Sequence, residues 1–178
     1  RLLTAPDHPR IVALGGPGNG YRFDAHNVVA MLAQCAELAG QAGKLLLVST
    51  SRRTGAGVET AIADWLEGHL HAPIAYTVLY GRHPEKVAGA FMRLAEMVFC
   101  SEESTSMLSE SVYCGRPVIA LAPADARPVS DQAAFIAELV QRHDCYAICD
   151  EVYEHLTFDG CRHLPLMTQP GLRPRCLR

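Results

Sequence analysis

The sequence predicts an α/β protein with a Rossmann-like parallel sheet and helices on both faces. Two observations predict this class. Short apolar runs of four to six residues alternate along the chain with longer segments in which apolar residues recur at helical spacing. The apolar runs also end in polar or glycine-rich turns, as buried parallel strands commonly do. Repeated strand–helix–strand units form parallel sheets with right-handed crossovers.

The first half of the chain contains two strand–helix pairs. Apolar runs predict strands at residues 11–14 and 44–48. Asp24 is a good N-cap for the first helix, and Gly40 and Gly43 end it. The apolar face of that helix is Val28, Leu32, Cys35, Ala36 and Ala39. The second helix is predicted from the spacing of Val58, Ala61, Ile62, Trp65 and Leu66.

The second half continues the alternation. Strands are predicted at residues 74–79, 97–100, 118–121 and 146–149. Helices are predicted at residues 104–114, at residues 132–142 and from Pro84 onward, the last with Val87, Phe91 and Leu94 on its apolar face. Residues 160–178 contain three prolines and four arginines without periodicity. We therefore expect one domain at residues 1–159, followed by a C-terminal tail or crossing segment at 160–178.

Composition excludes several classes of protein. The 178 residues suffice for one domain with a substantial core. A net charge of −3 argues against a nucleic-acid surface, which needs clustered basic residues. No apolar run reaches the roughly 18 residues of a membrane helix, so no integral membrane segment is expected. No secretory signal is visible, and the chain begins at Arg1, which indicates a fragment.

Seven cysteines raise the question of disulfides or a metal site. They are an odd number without a C-x-x-C pair, at positions 35, 100, 114, 145, 149, 161 and 176. Cys35, Cys100 and Cys114 lie in apolar helix or strand contexts. We favour reduced core cysteines over metal ligands. The expectation is a cytoplasmic protein with no metal and no cofactor.

The turn after the first strand is a candidate phosphate-binding turn because glycine allows the backbone to approach a ligand closely. Its candidate ligand-binding residues are Gly16, Gly18, Asn19 and Gly20. The spacing is GxGxG rather than the dinucleotide GxGxxG, and no acidic residue clearly ends the second strand. A nicotinamide or flavin site is therefore weakly supported. A plain glycine-rich turn is an equally good interpretation.

The turn after the second strand contains Ser51, Arg52, Arg53 and Thr54. Ser51 and the two arginines are candidate ligand-binding residues, because a guanidinium donates two parallel hydrogen bonds to phosphate. The alternative is that both arginines are solvated and Thr54 caps the next helix.

The segment after the fourth strand is the most informative. Ser104, Thr105 and Ser106 place hydroxyls and unpaired amide groups at a helix start, where anions bind. Glu110 lies one turn beyond Ser106 and could accept hydrogen bonds from a sugar diol. Alternatively, Ser104 is an N-cap, with Glu102 and Glu103 complementing the helix dipole. Those two acids would repel a diphosphate unless the arginines offset them.

Residues 103–118 resemble the nucleotide-sugar-binding helix of GT-B glycosyltransferases and UDP-N-acetylglucosamine 2-epimerase-like proteins. The matching features are the small polar helix start, Glu110, Gly115 and Pro117. The resemblance implies that Glu110 grips the ribose hydroxyls of a UDP- or GDP-sugar. It also implies that residues 104–106 face the diphosphate.

The chain has a closer likeness to the mitochondrial-fission "elongated mitochondria" family, a GT-B-like group. It resembles that family in a GGP turn at residues 15–17, an SRRT loop at 51–54 and the segment at 103–118. Glu103 replaces the usual aspartate, and residues 82–85 depart from the family's Asn-Pro-Tyr stretch. The likeness spans about residues 10–121.

The resemblance implies the C-terminal, donor-binding half of a GT-B fold, with an N-terminal Rossmann-like half missing. That half would supply acceptor contacts and often the catalytic base. We therefore name no catalytic residue and expect the fragment to be inactive alone. His83 is a candidate, although a solvated loop histidine explains it better. The competing hypotheses are a non-catalytic interaction module and, more weakly, an NAD(P)-dependent oxidoreductase or epimerase.

Overall fold

The chain forms two compact units. The computed structural model describes residues 9–19, 21–122, 130–143, 147–148, 168 and 170–177. Unit 1 comprises Arg1–Pro128 and unit 2 comprises Val129–Arg178. The domain boundary expected at residue 159 lies outside the described residues.

Strands and helices alternate throughout the described part of unit 1. Its strands are β1 (Arg10–Ala13), β2 (Leu46–Ser49), β3 (Ile74–Val78), β4 (Met97–Ser101) and β5 (Val118–Leu121). Its helices are α1 (Ala25–Gln41), α2 (Ala56–Gly68), α3 (Ala88–Leu94) and α4 (Thr105–Tyr113). Apart from the start of α3, these bounds agree with the sequence predictions within the uncertainty usual for element ends.

The strands of unit 1 form one parallel sheet in the order β3-β2-β1-β4-β5. The α/β, Rossmann-like prediction is confirmed. β1 lies in the centre, where Val12 pairs with Val48 of β2 and Phe99 of β4. Because β2, β1 and β4 are neighbours, the turns that follow them leave the same edge of the sheet side by side.

The core of unit 1 joins the central strands to α1 and α2. The predicted apolar face of α1 is confirmed, since all five of its residues are buried. Asp24 is the N-cap, and its carboxylate accepts the amide hydrogens of His26 and Asn27. From α2, Val58 and Ile62 join the same core cluster, against Val48 and Phe99. Burial of this continuous apolar surface stabilises the sheet.

Helix α3 begins later than predicted. The sequence places Pro84 in its first turn, whereas the structure starts the helix at Ala88 with Val87 as N-cap. Glu85 instead accepts hydrogen bonds from the Tyr76 hydroxyl of β3 at 3.2 Å. Proline is tolerated in the first turn of a helix but does not require a helix to begin there. Of the predicted apolar face, Phe91 is buried and Leu94 is half exposed.

Two of the three cysteines expected in the core are buried there. Cys35 and Cys100 are almost inaccessible to solvent, and burial raises the pKa of the Cys35 thiol to about 12. Cys114 is exposed, so that prediction is wrong. It is the C-cap of α4 and precedes Gly115, whose φ of 68° turns the chain away from the helix. Cys145, Cys149 and Cys161 lie outside the described residues.

Unit 2 contains α5 (Ser130–Arg142) and two short parallel strands, β6 (Ala147–Ile148) and β7 (Cys176–Leu177). Leu172 is fully buried and clusters with Ala137 and Val140 of α5. The described end of the expected tail is therefore packed within unit 2. The apolar residues of this segment recur without a period, so no pattern in the sequence predicts the burial of Leu172. None of the helices described in either unit has the length and apolar character needed to span a bilayer.

Candidate functional site

The glycine turn (residues 15–19) and the arginine turn (residues 51–54) contact each other directly. The Thr54 hydroxyl donates to the carbonyl oxygen of Leu14 at 3.3 Å and to that of Gly15. The Arg53 guanidinium reaches the Pro17 carbonyl oxygen at 3.4 Å. These bonds hold the two turns together at the carboxyl edge of the sheet. Thr54 therefore joins the turns and does not cap α2, whose N-cap is Gly55.

Gly16 makes this close approach possible. A Cβ atom added at Gly16 would overlap the backbone carbonyl group of Arg53. Only a residue without a side chain allows the two backbones to pack at this distance. The Gly16 amide hydrogen does not point to open solvent, because it is bonded to the carboxylate of Glu103 at 3.0 Å.

Glu103 joins both turns to the start of α4. Its side chain is fully buried, and its Oε1 atom accepts the Gly16 amide and lies 3.4 Å from Nη2 of Arg53. The main-chain oxygen of Glu103 accepts a hydrogen bond from the Asn19 side chain at 2.9 Å. The neighbouring Ser101 hydroxyl accepts the Gly15 amide at 2.7 Å. The three segments that the sequence singles out thus meet at one place.

Burial changes the acid–base behaviour of this cluster. Burial raises the pKa of the Glu103 carboxyl, while Ser101, the Gly16 amide and Arg53 partly offset that rise. Burial also raises the pKa of Glu102, although its hydrogen bond from the Tyr21 hydroxyl opposes the rise. The pKa of Tyr21 is raised, first by burial and then by the negative charge of Glu102. The cluster therefore holds carboxylates in surroundings that disfavour their charge.

The start of α4 presents donors without a side-chain cap. Ser104 occupies the N-cap position, but its side chain makes no cap hydrogen bond. Ser104 is buried, Thr105 is half-buried and Ser106 is exposed. The first amide groups of a helix have no acceptor within it, and the helix dipole favours an anion there. The expected N-cap residue is thus correctly placed, while the hydrogen bond that would define a cap is missing.

Glu110 lies on α4, four residues beyond Ser106 and on the same face. Its side chain is exposed, and no hydrogen bond or ion pair to it is found within the described part of the chain. Because the Glu110 carboxylate is not packed in the core, it can accept hydrogen bonds from a ligand.

The remaining candidate residues surround this cluster. Arg52 is exposed, and Arg53 is 48% exposed despite its contacts. The Ser51 hydroxyl accepts the Arg53 amide at 3.2 Å, which shapes the arginine turn. Gly18 and Asn19 follow Gly16 in the glycine turn, and Asn19 has a positive φ of 52°. Gly20 lies outside the described residues.

A second buried carboxylate, which sequence reasoning did not identify, lies between β2 and β3. Glu59 is 1% exposed; its Oε1 accepts the Thr50 hydroxyl at 2.6 Å and the Gly81 amide at 2.9 Å. It ties the turn after β3 to α2. Glu59 lies in the first turn of an amphipathic helix, where a glutamate is common at the surface, so the sequence carries no signal for its burial.

His83, in the turn after β3, is 84% exposed and lies 3.3 Å from Glu85.

An open depression of about 510 Å³ lies at the edge of the sheet opposite the glycine and arginine turns, lined by residues that include Ala36, Trp65 and Pro73. It shares no residue with the turns, so the polar cluster, which carries the candidate donors, remains the better site.

The described residues contain no group of His, Cys, Asp and Glu side chains able to hold a metal ion.

Comparison with known proteins identifies one family along most of the chain. The profile of the family described as Mitochondrial fission ELM1 matches residues 1–155. Curated transaminases share short segments with the chain. The probable N-succinyldiaminopimelate aminotransferase DapC of Mycobacterium tuberculosis is 42% identical over 55 residues, 31% of this chain and 14% of that protein. Kynurenine–oxoglutarate transaminase 1 of Homo sapiens is 36% identical over 47 residues, 26% of this chain and 11% of that protein.

The chain thus spans 14% or less of the length of these curated relatives. Segments this short carry no statement about the activity of the chain. No solved structure matches it.

Proposed function

Because the chain belongs to the mitochondrial fission ELM1 family, we propose that unit 1 is the donor-binding half of a GT-B-like glycosyltransferase or sugar-nucleotide enzyme. Its ligand is a nucleotide-diphosphate-linked sugar, such as a UDP- or GDP-sugar. One observation carries the proposal: the glycine turn, the arginine turn and the start of α4 are bonded together at the carboxyl edge of a parallel sheet. That edge is where open α/β sheets bind phosphorylated ligands.

The diphosphate would lie at the start of α4. The first amide groups of α4, which have no acceptor within the helix, and the exposed guanidinium of Arg52 supply donors of the kind that phosphate oxygens accept. Arg53 supplies a second guanidinium, and its half-exposed side chain can reach a bound anion. Gly16 serves this site by allowing the turns to pack closely, since its own amide is bonded to Glu103.

The ribose would be held by Glu110. This residue is exposed on α4, on the same face as Ser106. A carboxylate can accept hydrogen bonds from both hydroxyl groups of a sugar diol. Acceptor contacts and catalytic groups would come from an N-terminal half beyond this chain. The buried thiols of Cys35 and Cys100 fit a reducing, cytoplasmic setting.

Isothermal titration calorimetry with UDP, GDP and their sugars tests the proposal. The protein that contains both halves is titrated alongside this chain, and uridine and guanosine serve as controls without a diphosphate. We expect saturable binding of the diphosphates, and weaker binding of the nucleosides because the arginines then lose their partner. Lack of binding at millimolar ligand in the two-half protein would refute the proposal.

A second candidate is a non-catalytic interaction module that retains the fold. The observation that favours it is the Glu103 carboxylate, which already occupies the Gly16 amide that a diphosphate would otherwise use. If the two-half protein hydrolyses a sugar nucleotide or transfers its sugar, this candidate is excluded.

A further inference from the structure

Glu103 occupies donors that a bound phosphate would also use. Its Oε1 atom lies 3.0 Å from the amide nitrogen of Gly16 and 3.4 Å from Nη2 of Arg53. A backbone amide in a glycine turn and a guanidinium beside a helix start are the common elements of phosphate sites. In its ionised form, this carboxylate is an anion carried by the chain itself, at the place where an anionic ligand is expected.

Hydrogen bonding alone does not explain why the Glu103 carboxylate is buried. The side chain is fully buried, yet its Oε2 atom has no hydrogen-bond partner within the part of the chain that the structure describes. An unpaired buried acceptor lowers stability, so a group of this kind calls for an explanation. Burial also raises the pKa of Glu103, because the charged form loses its hydration.

Arg53 can respond to a ligand while Glu103 cannot. Arg53 is 48% exposed, whereas the Glu103 side chain has no exposed surface. A phosphate that approaches from solvent can thus bind the outer part of the guanidinium, and Glu103 stays beneath it. The negative charge of Glu103 then opposes that of the phosphate at short range.

We propose that Glu103 is a specificity-determining residue that weakens the binding of diphosphate groups at the turns by competing for Arg53 and by placing a negative charge beside the bound phosphate. This inference rests on the proposed function. As a consequence, the negative charge of Glu103 disfavours ligands that bind through phosphate alone. A ligand needs further contacts, such as a ribose bound to Glu110, to overcome this repulsion. A free diphosphate without those contacts binds poorly.

The variant Glu103→Gln tests this inference in the intact chain and in the two-half protein, with UDP and inorganic pyrophosphate as the probes. Glutamine keeps the shape of the side chain and an oxygen for the Gly16 amide, and it removes the charge. We expect UDP to bind about tenfold more tightly, the effect of removing one nearby like charge in a partly solvated site. Pyrophosphate should gain at least as much, because it lacks the ribose contact.

The matched control is Glu59→Gln. Glu59 is equally buried, also accepts a backbone amide and also has one oxygen without a hydrogen-bond partner among the described residues. It is bonded to Thr50 and Gly81 and makes no hydrogen bond to the glycine turn. Its substitution should change the UDP dissociation constant less than twofold. Thermal unfolding of both variants shows whether each remains folded.

The outcomes separate the two proposals. Unchanged or weaker UDP binding by a folded Glu103→Gln variant, beside a wild type that binds, would overturn the role of Glu103 and leave the proposed function intact. If neither the wild type nor the folded variant binds UDP, the proposed function itself is overturned. If the variant does not fold, the Arg53 side-chain NMR signals of the wild type decide: they should shift when UDP binds, and unchanged signals at saturation would overturn the inference.

Discussion

At the scale of single residues, three polar side chains make contacts that differ from those their sequence positions suggest. Thr54 resembles a helix cap but donates to the Gly15 carbonyl. Glu103 resembles a charge that complements the α4 dipole but accepts the Gly16 amide. Glu59 resembles a surface residue of α2 but lies buried against Thr50. In each case the partner lies outside the helix or turn that the residue belongs to, so local pattern carries no information about it.

Glu110 allows a test that separates ligand binding from stability. Replacing it with alanine should weaken binding of a nucleotide sugar by about 1–3 kcal/mol, the usual effect of losing a charged hydrogen-bond partner. The melting temperature should hardly change, because the side chain is exposed. Calorimetry and thermal unfolding measure the two effects.

Glu67→Ala is the matched control for Glu110→Ala. Glu67 is also an exposed helical glutamate, but it lies in the last turn of α2, at the opposite edge of the sheet. Its removal changes the net charge equally and should leave binding unchanged. If both variants weaken binding equally, overall charge and not a ribose contact explains the effect.

At the scale of elements, apolar periodicity predicts the helices that pack along their whole length. Helix α1 has the predicted face, N-cap and end because these signals are local and agree with one another. Helix α3 is short, and its predicted start is wrong because the single signal, Pro84, permits a helix start without requiring one. Predictions of elements thus hold where several local signals agree.

The joined turns depend on one glycine, which leads to a stability prediction. Gly16→Ala should lower the free energy of unfolding by about 1–3 kcal/mol, the usual penalty of overpacking, because the new methyl group would overlap the Arg53 backbone. Denaturant unfolding monitored by circular dichroism measures the change.

Gly57→Ala is the control at the element scale. Gly57 is exposed in α2, and no atom lies within 4 Å of a Cβ placed there. Alanine should leave stability unchanged or raise it by up to about 1 kcal/mol, because it favours the helix. If Gly16→Ala proved as harmless as Gly57→Ala, the two turns would not be packed as described.

At the scale of the whole molecule, unit 1 contains the buried cluster that joins β1, β2 and β4 to α1 and α2. We therefore expect a fragment of residues 1–128 to fold by itself. It should unfold cooperatively, with a midpoint within about 5 °C of the main transition of the intact chain. Far-UV circular dichroism during heating measures this.

A fragment of residues 1–95 is the control for the fragment of residues 1–128. It lacks β4, which pairs with the central strand β1 and supplies Phe99 to the core. It should not unfold cooperatively. If residues 1–128 also failed to do so, the core of unit 1 would require unit 2.

The sequence by itself determined the α/β class, most element positions and the three segments that form the candidate site, because strand runs, helical faces and turn residues are local signals. Only the tertiary structure decided the strand order, the direct bonding of the turns and the burial of Glu103 and Glu59. Those features depend on which distant segments the sheet places side by side. Local sequence identifies the groups available for bonding, whereas the packed core decides which of them meet.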